Sequence, residues 1–227
     1  MGLWAVHILD GVLTWPWLVG GFLGAAALCG WGMRRLREEE IARIAVLSSA
    51  FFVASLIHVP TLAPTSVHLL LNGLVGVLLG PRSATAILLA LFLQAVLLGH
   101  GGLTTLGVNS CIMALPALGA WAVFVWLRRW GALTQTWQRS MVGLVIGGLT
   151  VLATAALNAL TLWLGSGEPL EVLAVLVFVA HLPVAGVEAL VMAATINFLA
   201  RVKPEMLGLA LPSRPEAVTP QRQRQAG

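Results

Sequence analysis

The sequence predicts an all-α membrane protein, a polytopic helical bundle of about seven transmembrane helices with its N-terminus out and C-terminus in. Three observations carry that prediction. Charged residues make up only 10% of the 227-residue chain and hydrophobic residues 59%, whereas soluble domains carry roughly 25% charged residues. The apolar residues are gathered into seven long runs separated by short polar connections. Finally, one choice of orientation puts all 13 Lys and Arg residues on the same side of a membrane, as the preference of basic loops for the cytoplasm requires.

A transmembrane helix takes about 20 apolar residues. The candidate runs are 15–33, 41–59, 68–80, 83–99, 108–127, 141–164 and 170–200. Between the first two stands Arg34-Arg35-Leu36-Arg37-Glu38-Glu39-Glu40, a charged turn that cannot enter the bilayer. With that turn in the cytoplasm, Gly80-Pro81-Arg82-Ser83, the loop 128–140 and everything from Arg201 onward lie on its side. The third run is short. From His68 to Gly80 a helix rises only about 18 Å, against a hydrocarbon core of about 30 Å. The connection Pro60 to Ser66 is therefore expected to descend into the membrane as irregular backbone, which is tolerated where protein or a water-filled cavity surrounds it. The seventh run contains Pro183 and is expected to bend there or to begin as a separate outer half-helix. Two small-residue clusters, Gly20 to Ala27 and Gly143 to Gly148, invite close helix approach. Residues 1–203 read as the transmembrane domain and 204–227, rich in Pro, Gln and Arg, as a disordered cytoplasmic tail.

The formal charge of +4 does not point to nucleic acid, because the bases are scattered between apolar runs and form no continuous basic face. No basic segment precedes the first run, so a cleaved signal peptide is not expected. Cys29 and Cys111 stand in apolar surroundings at no metal-knuckle spacing and read as small buried hydrophobes. The chain has no Gly-Lys-Ser/Thr nucleotide loop and no His-Glu-x-x-His, so neither ATP hydrolysis nor a zinc-protease site is expected from it.

The orientation gathers the polar residues of interest on the outer side. His7 precedes the first run and can be a metal ligand or an exposed histidine in a frayed leader. His68 falls within the membrane thickness beside Ser66 and Asn72, where an imidazole needs a partner, and intramembrane ionisable groups are functional candidates. Asp10 can orient a ligating ring or cap the first helix turn. His100-Gly101-Gly102, followed by Thr104, Thr105 and Asn109, is a compact loop whose glycines permit close backbone approach. His58 ends the second run. Glu188, the one acid deep in a predicted span, requires a partner such as His181 or a backbone amide.

Four stretches taken together resemble a known family. They are His7-Ile8-Leu9-Asp10-Gly11, Ser66-Val67-His68-Leu69-Leu70-Leu71-Asn72-Gly73, His100 through Asn109, and His181-Leu182-Pro183 with Glu188. In this order they are similar to the nickel/cobalt substrate-capture subunits of energy-coupling-factor ABC transporters, the CbiM/NikM family. The resemblance implies a non-catalytic subunit in the plasma membrane that takes Ni(II) or Co(II) as transported substrate. It also implies partners: a transmembrane coupling subunit, cytoplasmic ATPases and often a small accessory membrane subunit. In the family, the terminal amine, the next amide nitrogen and the imidazole of the second residue fill three corners of a square plane, and a histidine at the start of the third helix fills the fourth. Carried onto this chain, the ligands are Val6 (its amine, where the chain starts there), His7 and His68. Such nitrogen-rich geometry suits Ni(II) and disfavours hard cations.

The chain departs from the family in two places. Met1 to Ala5 precede Val6, so the family chelate is restored only if translation initiates at Val6 through a GUG codon or if the leader is trimmed after Ala5. The family also places Gly after the glutamate where this chain has Ala189. A vitamin-binding capture subunit of the same architecture is the nearest alternative, though it leaves His7 and His68 without a role. A secondary metal transporter would be expected to show repeated halves and several intramembrane charges.

Overall fold

The computed structural model describes residues 7–60, 66–167 and 169–209. Val6, the middle of the connection after Pro60 and residues 210–227 of the expected tail lie outside them.

Eight α-helices form a bundle among the described residues. They are α1 (Trp15–Gly32), α2 (Glu38–Ala54), α3 (Asn72–Leu79), α4 (Ser83–Leu98), α5 (Leu106–Arg129), α6 (Thr136–Gly165), α7 (Glu171–Ala180) and α8 (Leu182–Val202). Each predicted apolar run falls on a helix, and the seventh is divided in two. The all-α expectation needs one addition. A small antiparallel hairpin, β1 (His58–Pro60) and β2 (Ser66–His68), pairs His58 with His68, Val59 with Val67 and Pro60 with Ser66.

The helical runs Asn72–Leu98, Leu106–Arg129, Thr136–Gly165 and Glu171–Val202 are long and apolar enough to cross a membrane. The first of these is not one straight rod. His68 before α3 and His100 after α4 have ring centroids 6.1 Å apart, so the chain folds back through the 3₁₀ turn Gly80–Arg82, and α3 and α4 form a hairpin. The last is a single path with a break at His181, two residues before Pro183, close to the expected bend. Pro183 lacks the N–H that an unbroken helix would use, which fits the first turn of α8 and not a helix interior. α7 shares an apolar cleft with Ala156, Ala159, Leu160 and Trp163 of α6, and α8 continues along the N-terminal half of the same helix. There a Cβ on Gly147 would meet Ala189 Cα at 2.9 Å and Glu188 O at 2.8 Å. With Ala189 on α8, the room for this close approach is supplied by the facing glycine of α6.

The up-and-down order puts the leader, the α4–α5 loop and the α6–α7 connection at one end of the bundle. Opposite them, Arg82 pairs with Glu40 at 2.7 Å, and Arg128 Nη1 donates to Leu207 O at 2.9 Å. Every Lys and Arg among the described residues lies at or near this second end. Three boundaries shift from their expected places. α2 stops at Ala54, because the chain must extend to enter β1. α3 starts at Asn72, so His68 ends a strand and does not open a helix. The chain also stays ordered past residue 203: Pro204–Leu207 forms a 3₁₀ turn with Leu207 buried against Phe124 and Ile196, since an apolar side chain in the first turn of the tail can still reach the core.

Candidate metal centre

The leader is fastened to the start of α5 by its own main chain. Ile8 N–H donates to Asn109 Oδ1 at 3.0 Å, and Ile8 C=O accepts from Asn109 Nδ2 at 2.9 Å and from Thr105 Oγ1 at 2.7 Å. A carboxamide presenting both a donor and an acceptor imitates a strand partner for one residue. Two residues later Asp10 accepts from Leu103 N at 3.2 Å, Thr104 N at 2.9 Å, Thr104 Oγ1 at 2.5 Å and Thr105 N at 3.3 Å. Asp10 therefore caps a helix, but α5 instead of α1, and from across the fold. Orienting a histidine ring is not its role in this geometry. The N–H groups ahead of a helix lack intrahelical acceptors and favour an anion. Burial raises the Asp10 carboxyl pKa, yet these hydrogen bonds outweigh it and hold the group below the usual carboxylate range. Gly101 and Gly102 make room for the leader. A Cβ at Gly101 would stand 3.1 Å from His7 Cβ, and one at Gly102 would overlap the Asp10 carboxylate.

This docking buries His7 to 4% exposure. Its ring centroid lies 5.2 Å from that of His68, itself only 1% exposed. Metal–imidazole bonds of about 2 Å place two rings on one ion roughly 4.5–6.5 Å apart, depending on the angle between them. The observed separation falls inside that window. His68 Nδ1 lies 2.9 Å from Leu69 O. A carbonyl only accepts, so Nδ1 carries the proton and Nε2 holds the lone pair, the arrangement by which a backbone carbonyl orients a metal-ligating ring. Burial, and then the neighbouring His68 and His100 rings, hold the His7 imidazole well below its ordinary pKa, so it is neutral at pH 7. Its Nε2 has no hydrogen-bond partner. Among the described residues no group of three or more His, Cys, Asp or Glu side chains converges as a metal cage. The His7 and His68 imidazoles meet here, with the His100 ring next to that of His68.

Residues 7–206 match the profile of the CbiM family, described as the cobalt uptake substrate-specific transmembrane region. The chain belongs to the CbiM family. A Haemophilus influenzae protein named for metal transport is 37% identical over 202 residues, covering 89% of this chain and 97% of that one. The cobalt transport protein CbiM of Geobacter sulfurreducens is 30% identical over 220 residues, covering 89% of this chain and 62% of its own. A crystal structure of a transition metal transporter superposes with a TM-score of 0.68 at 26% identity, covering 86% of this chain and 93% of that one.

The remaining expected residues of this CbiM-family chain divide clearly. His100 joins the two imidazoles through its contact with His68. His58 lies opposite His68 in the strand register, and Ser66 opposite Pro60. Asn72 is fully buried and ties the start of α3 to its neighbours, donating to Met113 O at 3.0 Å and to Thr154 Oγ1 at 2.8 Å. His181 stands at the α7–α8 break with Nδ1 donating to Val177 O at 2.6 Å, and its Nε2 is buried without a hydrogen-bond partner. Glu188 does not pair with His181. Its carboxylate accepts the main-chain N–H of Leu70 and of Leu71, which was the other partner the sequence allowed. Gln94 is a further residue of the site that the motifs did not mark. It is 1% exposed in the last turns of α4 and sits beside His7, short of a hydrogen bond. The available signal was a lone amide in an otherwise apolar stretch, Leu91 to Gly99.

Proposed function

We propose that this CbiM-family chain, a multi-pass membrane protein of metal transport, is the substrate-capture subunit of an energy-coupling-factor transporter and that it binds Co(II) or Ni(II) between His7 and His68. The observation that carries this reading is the buried pair of imidazoles, brought to 5.2 Å from the leader and from the end of β2, the leader docked through Ile8 on Asn109 and Thr105 and the His68 ring oriented by Leu69 O. With a free amine at Val6, the nitrogens of Val6 and the His7 amide complete a planar set of four with the two rings. The leader end faces outward and the basic end inward, consistent with the basic residues at the opposite end of the bundle. Seven crossings follow if α1, α2 and each arm of the α3–α4 hairpin span. The chain captures and does not hydrolyse ATP. A transmembrane coupling subunit and cytoplasmic ATPases supply the energy, with a small accessory membrane subunit alongside, and nucleic acid plays no part.

The test is metal analysis of the purified protein and of His68→Ala. The expected result is about one Co or Ni per chain in the parent and none in the variant, with the helical spectrum unchanged. Stoichiometric metal in the folded variant refutes the site. A metal-free parent that retains an organic ligand would instead favour the vitamin-type capture subunit.

A further inference from the structure

Glu188 belongs to α8, yet what it holds is the loop that carries His68. Between β2 and α3 the chain has little of its own to fix it. Leu69 N–H reaches Ile57 O at 3.3 Å, and the next two N–H groups, of Leu70 and Leu71, both turn to the Glu188 carboxylate. Leu70 is fully buried and Glu188 is 4% exposed, so no water replaces this acceptor. Leu71 adopts φ +48°, a left-handed conformation that a leucine occupies only when its surroundings impose it. Just beyond, Asn72 is pinned to α5 and α6. On its own side, the Glu188 backbone is wedged against Gly147 of α6. His68 thus stands two residues from an anchor whose far end is a different helix.

We propose that Glu188 is the positioning residue of the metal site, setting the His68 ring by bracing the two amides that follow it. This deepens the proposed function and rests on it. Groups that orient a metal ligand typically cost 10- to 100-fold in affinity when removed. Glu188→Ala strips the acceptor from the buried Leu70 N–H and the part-buried Leu71 N–H and lets the loop relax. Glu188→Gln keeps one oxygen, and the Oε1 position already serves both amides, so the conservative variant restores most of the function.

The experiment titrates Co(II) and Ni(II) into the full-length protein in detergent, recording affinity, the ligand-field absorption of the bound metal and the thermal midpoint. Asn197→Ala is the control. It removes a 2.8 Å hydrogen bond to Ser140 between the same two helices, far from the histidines. The expected result is a 10- to 100-fold loss of affinity with an altered absorption band for Glu188→Ala, near-parental values for Glu188→Gln, and a lowered midpoint alone for Asn197→Ala. Unchanged affinity and band in Glu188→Ala overturn the proposal, as does an equal loss in Asn197→Ala. If Glu188→Ala fails to fold, amide exchange on the unmodified protein decides. Because coupling is reciprocal, bound metal must slow exchange at Leu70 and Leu71, and an unchanged rate overturns the proposal. A parent that takes up neither metal overturns the capture reading itself and this inference with it. Binding by the parent together with an unaffected Glu188→Ala overturns this inference alone.

Discussion

Replacing Asn109 by Ala offers a direct measure of what leader docking contributes to metal binding. The carboxamide makes both contacts to Ile8, and only the carbonyl has a second partner, Thr105 Oγ1 at 2.7 Å. The variant therefore leaves the Ile8 N–H, on a residue 3% exposed, without an acceptor. An unsatisfied buried donor costs about 1–3 kcal/mol, which at 1.4 kcal/mol per tenfold is roughly 5- to 150-fold in the population of docked leader. His7 reaches His68 only when the leader is docked, so affinity falls by that factor less the margin by which docking is already favoured. The expected outcome is a loss of Co(II) and Ni(II) affinity of more than about twofold and up to about 150-fold in calorimetric titration, with faster proteolysis of the leader and little change in the thermal midpoint of the helices. Asn109→Asp retains the acceptor for Ile8 N–H but sets a second acceptor against Ile8 C=O, so it is also weaker than the parent. Affinity within twofold of the parent in Asn109→Ala, with the leader equally protected, refutes the link between docking and binding.

Other perturbations probe the same arrangement from different sides. Gly102→Ala places a methyl group on the Asp10 carboxylate and is expected to dislodge the leader, abolishing tight metal binding while circular dichroism of the bundle is preserved. Retained binding would show that the loop yields. His7 titrates at lower pH in the fold than in the unfolded chain, so its contribution to stability is full above about pH 6.5 and declines as pH falls, because the unfolded chain takes up the proton first. Thermal midpoints of the metal-free protein between pH 8 and 5 should drop less in His7→Gln, and parallel curves would contradict this. Leu103, 51% exposed in the leader-end loop, tests orientation. A Leu103→Cys variant should react with an impermeant thiol reagent added outside intact cells, and labelling only after lysis would reverse the topology.

The helices were legible because burial in lipid or in a bundle demands long apolar runs, and nothing in the chain competes with that pattern. The α3–α4 hairpin was legible for the same reason, since Gly80-Pro81-Arg82 is the one polar interruption there. What eluded sequence reasoning was contact between distant segments. Asp10 stands four residues ahead of Thr14, the cap of α1, and spacing alone favoured that neighbouring helix, whereas the leader crosses the fold to reach Thr104. His68 was placed at a helix start because the run that follows it to Leu79 is apolar but for Asn72. The run conceals the strand since a residue such as Val67 suits either structure, and what ends the loop is the left-handed Leu71, a conformation that leucine does not advertise. Gln94 was passed over because an amide in a span has no motif, and its importance comes only from the histidine folded over it. Glu188 was marked as needing a partner by its burial alone, but which amides it would meet depends on the packing of α8 against α6.

α3 is only eight residues long, a rigid rod of about 12 Å. One end is joined to the loop of His68. The other enters the turn at Gly80, where Arg82 grips Glu40 of α2 and Gly32 of α1 lies against Pro81. A rod this short has few turns over which to bend, and it runs from that turn to the three residues that follow His68. The Gly80–Arg82 turn, at the basic end of the bundle, and the segment after His68, at the leader end, are thus the two ends of one short helix.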